Sequence, residues 1–175
     1  MMNRVHCSVA AMIATLSMFA PDLAARQRGP VDAGPGTLAA ARKFLEGRWR
    51  LLSFEITPGP DSIRVLGAGT LVYDDFGNLT IDIRVDPPTA ARLEAAGIAT
   101  TKGSLMTKGR TVIDPQARTL TFVLEGQQPY AFGSVSGPLA LNRPRHWQVD
   151  GKLLTLTTKG DDGQTVSVGR WEKAP

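Results

Sequence analysis

Residues Gly47 to Glu55, Gly-Arg-Trp-Arg-Leu-Leu-Ser-Phe-Glu, begin the β-rich part of this chain, and Gly169-Arg170-Trp171-Glu172 lies near its end. Both stretches predict strands, and the segments between them are mostly strand-like and separated by short turns. A Gly-x-Trp first strand and an Arg-Trp last strand, bracketing an antiparallel array, favour a sheet that closes on itself. The sequence therefore predicts an all-β fold, a single closed or nearly closed antiparallel up-and-down barrel of about eight strands with room for one small ligand. We assign Trp49, Arg170 and Trp171 to its closure.

Two short helices are predicted alongside the strands. Thr37 can N-cap a helix from Leu38 to Glu46. Because a helix of this length is not stable alone, we expect its apolar face to pack on the open end of the barrel. Asp86 can cap a second helix, whose first turn accommodates Pro87 and which ends at Gly97.

The strands between these helices carry two informative patterns. Ile63 to Tyr73 is predicted as one strand with a bend or bulge at Gly67 and Gly69. The strand from Leu79 to Val85 alternates strictly between apolar and polar residues. Consecutive hairpins of this kind favour an up-and-down barrel over a sandwich.

Composition and charge exclude several classes of protein. The chain has 175 residues, of which 42% are hydrophobic and 21% charged, as in an ordinary single globular domain. The formal net charge of +4 is scattered along the chain, so no nucleic-acid partner is expected. Two histidines and one cysteine provide no zinc-ligand spacing, and the sequence has no phosphate loop or dinucleotide-binding glycine motif. Neither a metal nor a cofactor is predicted.

The N-terminus has the pattern of a cleaved secretory signal. Arg4 precedes an apolar stretch from Val9 to Phe19, and small residues follow at Ala24 and Ala25. The stretch is short for a permanent membrane anchor, so we expect residues 1–25 to be removed and the protein to be secreted or periplasmic. A retained N-terminal anchor helix is the alternative; after cleavage, no stable membrane insertion is expected.

The remaining chain then divides into a linker and one domain. Residues 26–36 are too rich in Gly and Pro for regular structure, and residues 37–175 form the predicted barrel domain. Signal cleavage also removes Cys7, the one cysteine, so the mature protein would form no disulfide and would depend on its core for stability.

Four stretches within Phe44 to Lys173 form an ordered set: Leu45–Glu55, Gly69–Leu79, Asp114–Gly126 and Arg145–Thr157. Their order and spacing resemble those of the lipocalin-like domain family found in many bacterial and fungal proteins. The resemblance implies a calycin-type barrel and implies little about chemistry, because a fold does not fix a function. One departure is Phe122-Val123-Leu124, where relatives often carry histidines.

We expect the barrel to bind a small hydrophobic molecule. One alternative is an enzyme of the cyclase or isomerase type that acts on a small organic substrate, and another is an envelope or interaction protein with a filled barrel. The sequence contains no Gly-x-Ser-x-Gly elbow or other catalytic motif, which favours binding over catalysis. An open, evenly apolar cavity would support binding and transport of a ligand. Polar groups that converge on one point of the cavity would support an enzyme, and a filled interior would support an interaction protein.

The candidate ligand-binding residues are polar side chains on or near predicted strands: Tyr73, Asp82, Arg84, Tyr130 and Arg145. The two tyrosines offer hydroxyl groups that can orient a ligand. Asp82 and Arg84 share the polar face of one strand. That face is either a solvated outer surface or, if it points inward, a buried ion pair directed at the ligand.

Arg143, Arg145 and His146 form the densest cluster of titratable groups, near a predicted barrel rim. Because neighbouring residues of a strand point to opposite faces, Arg145 and His146 cannot both point inward. His146 is the candidate catalytic residue, as a general base near neutral pH, and an ordinary surface histidine is the alternative.

Trp49 resembles the tryptophan that seals the closed end of lipocalin barrels. We expect Arg170 or Arg145 to lie over its ring as a cation–π contact. A ligand would then bind at the opposite end of the barrel.

Overall fold

The computed structural model describes residues 36–57, 61–65, 67–124, 133 and 139–175. The predicted signal peptide and all but the last residue of the predicted linker lie outside these ranges. The described helices are α1 (Leu38–Leu45) and α2 (Pro87–Ala95). The described strands are β1 (Gly47–Ile56), β2 (Ile63–Val65), β3 (Gly69–Tyr73), β4 (Asn78–Arg84), β5 (Ser104–Asp114), β6 (Thr119–Phe122), β7 (Arg145–Asp150), β8 (Leu153–Lys159) and β9 (Thr165–Lys173).

The described strands belong to one antiparallel sheet, which closes when its first long strand pairs with its last. The order across the sheet is β2-β1-β3-β4-β5-β6-β7-β8-β9, and β1 also pairs with β9. This seam runs from Trp49 opposite Lys173 to Ile56 opposite Ser167. Because β2 adds only a short partner to the end of β1, the barrel wall consists of β1 and β3 to β9. The predicted closed barrel of about eight strands is confirmed.

The segment from Ile63 to Tyr73, predicted as one bent strand, is divided into β2 and β3. A Cβ atom on Gly67 would lie 2.2 Å from the carbonyl oxygen of Arg84. The backbone N–H of Arg84 donates a hydrogen bond to the carbonyl oxygen of Ala68 at 2.9 Å. This close approach by the end of β4 requires glycine, and it marks the place where the pairing with β1 is interrupted.

A bulge in β1 changes which of its residues face the interior. The register with β9 shifts between Leu51 and Ser53, and Leu52 is exposed. Trp49 and Leu51 are buried before the shift, whereas Ile56 is buried after it. The extra residue of the bulge therefore moves the inward positions from odd to even numbers.

Helix α1 covers the end of the barrel at which β1 begins. Thr37 caps it by accepting a hydrogen bond from the backbone N–H of Ala40 at 3.2 Å. Leu45 is buried, and its carbonyl oxygen accepts a hydrogen bond of 2.8 Å from Nε1 of the fully buried Trp49. The predicted helix and its cap are confirmed. The expectation that α1 would pack on the open end of the barrel, opposite Trp49, is wrong, because the hydrogen bond from Trp49 to Leu45 holds the helix at the Trp49 end.

The cation over the Trp49 ring is Lys173, whose Nζ lies 5.0 Å from the ring centroid. The expectation that Arg170 or Arg145 would occupy this position is wrong. Lys173 pairs directly with Trp49 across the β1–β9 seam. Arg170 is exposed on the outer face, because its neighbour Trp171 is buried on the inner one.

Helix α2 lies at the other end of the barrel, because β4 begins at the α1 end and leads into α2 at its far end. Asp86 caps α2 by accepting hydrogen bonds from the backbone N–H of Thr89 at 2.9 Å and from its hydroxyl at 2.8 Å. These bonds hold the pKa of the Asp86 carboxyl below its ordinary value. Leu93 is fully buried, and α2 packs against β2. The predicted second helix, with Pro87 in its first turn, is confirmed.

No helix in the described part of the chain is long and apolar enough to cross a membrane.

The docking of α1 can be tested by truncating two adjacent apolar side chains, one buried and one exposed. Leu45→Ala removes a buried side chain and leaves a cavity under the helix, so the free energy of unfolding should fall by about 2–5 kcal/mol. Phe44→Ala is the matched control, because Phe44 is 50% exposed, and its effect should stay within about 0.5 kcal/mol. Urea denaturation of both variants measures the difference; equal effects would contradict the assigned packing.

Candidate functional site

The barrel interior contains a cavity of about 40 Å³ in the half away from Trp49. Its lining comes mostly from the strand ends that face away from α1, namely the ends of β1, β4 and β8 and the starts of β5, β7 and β9. A volume of this size accommodates about three water molecules. The described lining residues are Phe54, Ile81, Ile83, Leu105, Thr107, Leu139, Arg145, Leu156, Thr158, Ser167, Gly169 and Trp171.

One side of this cavity is a polar row that crosses three neighbouring strands. Arg145 of β7 pairs directly with Thr158 of β8, and Thr158 pairs directly with Ser167 of β9. Each of the three residues is at most 5% exposed. In the described part of the chain they account for most of the buried polar side chains, the others being Thr89 and Thr111. We call Arg145, Thr158 and Ser167 the polar row.

The opposite side of the cavity is mostly apolar, and Thr107 of β5, which pairs directly with Ile81, is its one polar residue among those described. Ile81 and Ile83 of β4 and Leu105 of β5 line it, and Ile83 pairs directly with Leu105. Both members of that pair are buried. The cavity is thus amphipathic, with mostly hydrocarbon on one wall and the polar row on the other.

Arg145 carries a charge into this interior without a carboxylate partner among the described residues. Its Nη1 donates to the carbonyl oxygen of Arg143 at 3.1 Å, and its Nη2 donates to that of Leu139 at 3.4 Å. Its guanidinium lies 4.8 Å from the centroid of the Phe122 ring, which adds a cation–π contact. Burial lowers the pKa of Arg145 from 12.5 to about 10. The side chain therefore stays cationic at neutral pH, at a cost on the order of 3 kcal/mol.

Trp171 lines the cavity and carries a buried hydrogen-bond donor. Its indole ring is buried, and among the described residues its Nε1 has no hydrogen-bond partner. A Cβ atom on Gly169 would lie only 2.8 Å from this Nε1, so the glycine provides the space that the indole occupies. The Nε1 of Trp147 also has no partner among the described residues, but Trp147 does not line the cavity.

Tyr73, a predicted ligand-binding residue, lies at the α1 end of the barrel and does not line the cavity. It pairs with Gly47 at the start of β1 and is 2% exposed. Burial raises the pKa of its hydroxyl, although a hydrogen bond with the side chain of Thr111 opposes this effect. Tyr130, the other predicted tyrosine, lies outside the described residues.

Asp82 and Arg84 lie on the outer face of β4, because their neighbours Ile81 and Ile83 line the interior cavity. Both border an outer groove of about 480 Å³ beside the break between β2 and β3. Asp82 is half-buried there, and its Oδ1 has no hydrogen-bond partner among the described residues. The inward alternative for this pair is wrong: the two residues do not form a buried ion pair directed at the interior.

His146 and Arg145 point to opposite faces of β7, as the alternation of strand residues requires. Arg145 lines the cavity, so the half-buried His146 faces outward. His146 therefore does not line the cavity. Arg143, the third member of the cluster, forms a bidentate ion pair with Asp161 at 3.1 and 2.9 Å.

Trp49, Arg170 and Trp171, which we assigned to closure, all lie in the strands of the β1–β9 seam. Trp49 pairs with Lys173, and Arg170 pairs with Ser53. Trp171 pairs with Leu51 across the same seam and also lines the cavity.

Sequence reasoning missed Thr158 and Ser167. The signal was present in β8, where buried Leu154 and Leu156 fix the inward parity and place Thr158 inward as well. Ser167 has the same parity in β9 as buried Trp171. What the sequence lacked was the register that puts both hydroxyls beside Arg145.

The described residues contain no group of three or more His, Cys, Asp or Glu that could hold a metal ion. No protein-family profile matches the chain, and no curated protein is similar to it in sequence. Among solved structures, a redesigned β-barrel is similar over 77% of this chain and 96% of its own, with a TM-score of 0.39 and 12% identity. The assignment of a closed barrel, which fits a calycin-type fold, therefore rests on the strand pairing.

The cost of burying Arg145 leads to a prediction about stability. Arg145→Met should raise the free energy of unfolding by about 1–3 kcal/mol, because it replaces a buried cation with an apolar side chain of similar length. The free-energy cost of burying the Arg145 charge is present below pH of about 10. It is relieved as the pH rises through the pKa of Arg145 in the folded protein. Arg145→Met should therefore be more stable than the wild-type protein throughout the neutral pH range.

Arg110→Met is the matched control, since Arg110 is exposed on β5, and its effect should stay within about 0.5 kcal/mol. Thermal and urea denaturation at pH 7 measure both variants. Destabilisation by Arg145→Met to the extent expected for loss of a buried ion pair would contradict this prediction.

Proposed function

We propose that this protein is an exported, lipocalin-like barrel that binds a small, largely hydrophobic molecule in its interior. The observation that supports this proposal is the amphipathic cavity between the polar row and the apolar wall of β4 and β5. Binding sites for small molecules combine an apolar lining with a few placed polar groups in this way.

The cavity volume limits how a ligand can fit. About 40 Å³ accommodates one small group. Leu139 is the one described lining residue that lies outside a strand, in the connection between β6 and β7. A larger ligand would therefore have to displace Leu139 rather than the hydrogen-bonded barrel wall.

The chemistry of the lining favours binding over acid–base catalysis. None of the described lining residues is Asp, Glu, His or Lys. Its one titratable group is Arg145, whose pKa of about 10 keeps it protonated near neutral pH. Such a group can hold or polarise a ligand, but it is a poor general base.

The polar row also distinguishes this barrel from one whose interior serves only for packing. A purely structural core gains nothing from a buried cation, because desolvation of a charge costs several kcal/mol in protein interiors. Thr158 and Ser167 likewise take positions that an apolar side chain of similar size would fill. A role in ligand binding accounts for all three residues.

Export is supported by the sequence pattern of residues 1–25. We expect the protein recovered from the periplasm or medium to begin at Arg26 and to lack Cys7. Intact-mass measurement and N-terminal sequencing of that protein test this directly. A full-length mass in the membrane fraction would favour the retained anchor instead.

Ligand binding can be tested with a fluorescent apolar probe and a pair of neighbouring substitutions. Leu105→Phe adds volume inside the cavity, and we expect it to weaken binding of the probe about tenfold, which corresponds to about 1.4 kcal/mol. Met106→Phe adds a similar volume on the outer face of the same strand, because Met106 is exposed, and should leave binding unchanged.

Native mass spectrometry of the protein purified from its own compartment complements this comparison. A co-purifying small molecule lost in Leu105→Phe would support interior binding. Failure of the wild-type protein to take up any apolar probe or to retain any molecule would contradict the proposal.

A further inference from the structure

We infer that the ligand carries a carboxylate and binds with it against the polar row, so that Arg145 pairs with the carboxylate inside the barrel. This inference rests on the proposed function and specifies the chemistry of its ligand. It is supported by the register of three strands and by the charge of Arg145, which has no acidic partner among the described residues.

The register places the polar groups close together on one wall. Residues directly opposite each other on neighbouring strands have Cβ atoms about 4.5–5.5 Å apart. The Arg145–Thr158 and Thr158–Ser167 pairs are both of this kind. The guanidinium and two hydroxyl groups therefore share one short stretch of wall, and all three residues line the same cavity.

The groups on this wall are predominantly donors, so the missing partner is an acceptor. A guanidinium has five N–H donors and no acceptor. Contacts with described residues use two of them, on the carbonyl oxygens of Arg143 and Leu139. The hydroxyl groups of Thr158 and Ser167 can each donate one hydrogen bond.

The charge of Arg145 specifies an anionic acceptor. Arg145 is 5% exposed and has no acidic partner in the described part of the chain. An anion in the cavity would offset the desolvation of the cation, which a neutral hydroxyl or carbonyl group would do less effectively. A planar carboxylate also matches the fork of a guanidinium, with two parallel N–H···O bonds.

The opposite wall favours an aliphatic monocarboxylate over an inorganic anion. The carboxylate group occupies the cavity of about 40 Å³, and the hydrocarbon chain extends past Leu139 by displacing it. Ile81, Ile83 and Leu105 then face the start of a hydrocarbon chain. A phosphate ion would leave this apolar wall without a partner.

Octanoate and 1-octanol share the same hydrocarbon chain and differ in the head group. Comparing them tests recognition of the carboxylate separately from binding of an apolar chain. In isothermal titration calorimetry with the full mature chain, octanoate should bind at least tenfold more tightly than 1-octanol, because charge-assisted hydrogen bonds are stronger than neutral ones. In Arg145→Met, octanoate should lose this advantage while 1-octanol binds as before. Arg110→Met, on the outer face, should behave as wild type.

A second substitution keeps the inference testable if Arg145→Met alters the fold. Ser167→Ala removes one hydroxyl of the polar row with little change of volume. It should weaken octanoate binding several-fold and leave 1-octanol unaffected. Quenching of the tryptophan emission should accompany binding in wild type, since Trp171 lines the cavity.

The possible outcomes are distinct. Octanol binding as tightly as octanoate in the wild type would overturn the carboxylate assignment and leave the proposed function standing. Tighter binding of inorganic phosphate than of octanoate, dependent on Arg145, would also overturn it. Failure of octanoate, octanol and the fluorescent apolar probe alike would overturn both the inference and the proposed function.

Discussion

The pairing of β1 with β9 is the constraint on which the rest of this structure depends. It joins the two ends of the sheet and gives every wall strand two hydrogen-bonded neighbours, so the wall has no free edge. Closure also gives each strand one inner and one outer face. The bulge at Leu52 then sets which residues of β1 face inward, and Trp49 fixes α1 over one end through its bond to Leu45.

Closure brings together groups that are far apart in the chain. The apolar wall comes from β4 and β5, and the polar row comes from β7, β8 and β9. In an open sheet Arg145 would be solvated; inside the barrel it is desolvated, and its pKa falls to about 10. The fold therefore tolerates a buried cation that lowers the stability of the folded protein. Such a local cost in stability is common at sites that bind ligands.

Local sequence signals predicted the fold well because each has a local physical cause. The caps at Thr37 and Asp86 satisfy the first N–H groups of their helices, and strict alternation from Leu79 assigns β4 to the wall of a half-buried sheet. The candidate site was predicted less completely. Arg145 was identified, whereas Tyr73 lies at the other end of the barrel and Asp82 lies outside it. A polar residue on a strand does not by itself reveal which face is inward or at which height in the barrel it lies.

The antiparallel barrel and its two capped helices could be predicted from the sequence, because alternation, turn residues and helix caps act over a few neighbouring positions. The tertiary structure was needed to place Arg145, Thr158 and Ser167 in one row and Lys173 over Trp49. Both facts depend on the register between strands, which the turns, the bulges and the closure at β1 and β9 set together. A shift by one residue would turn Arg145 to solvent and remove the site.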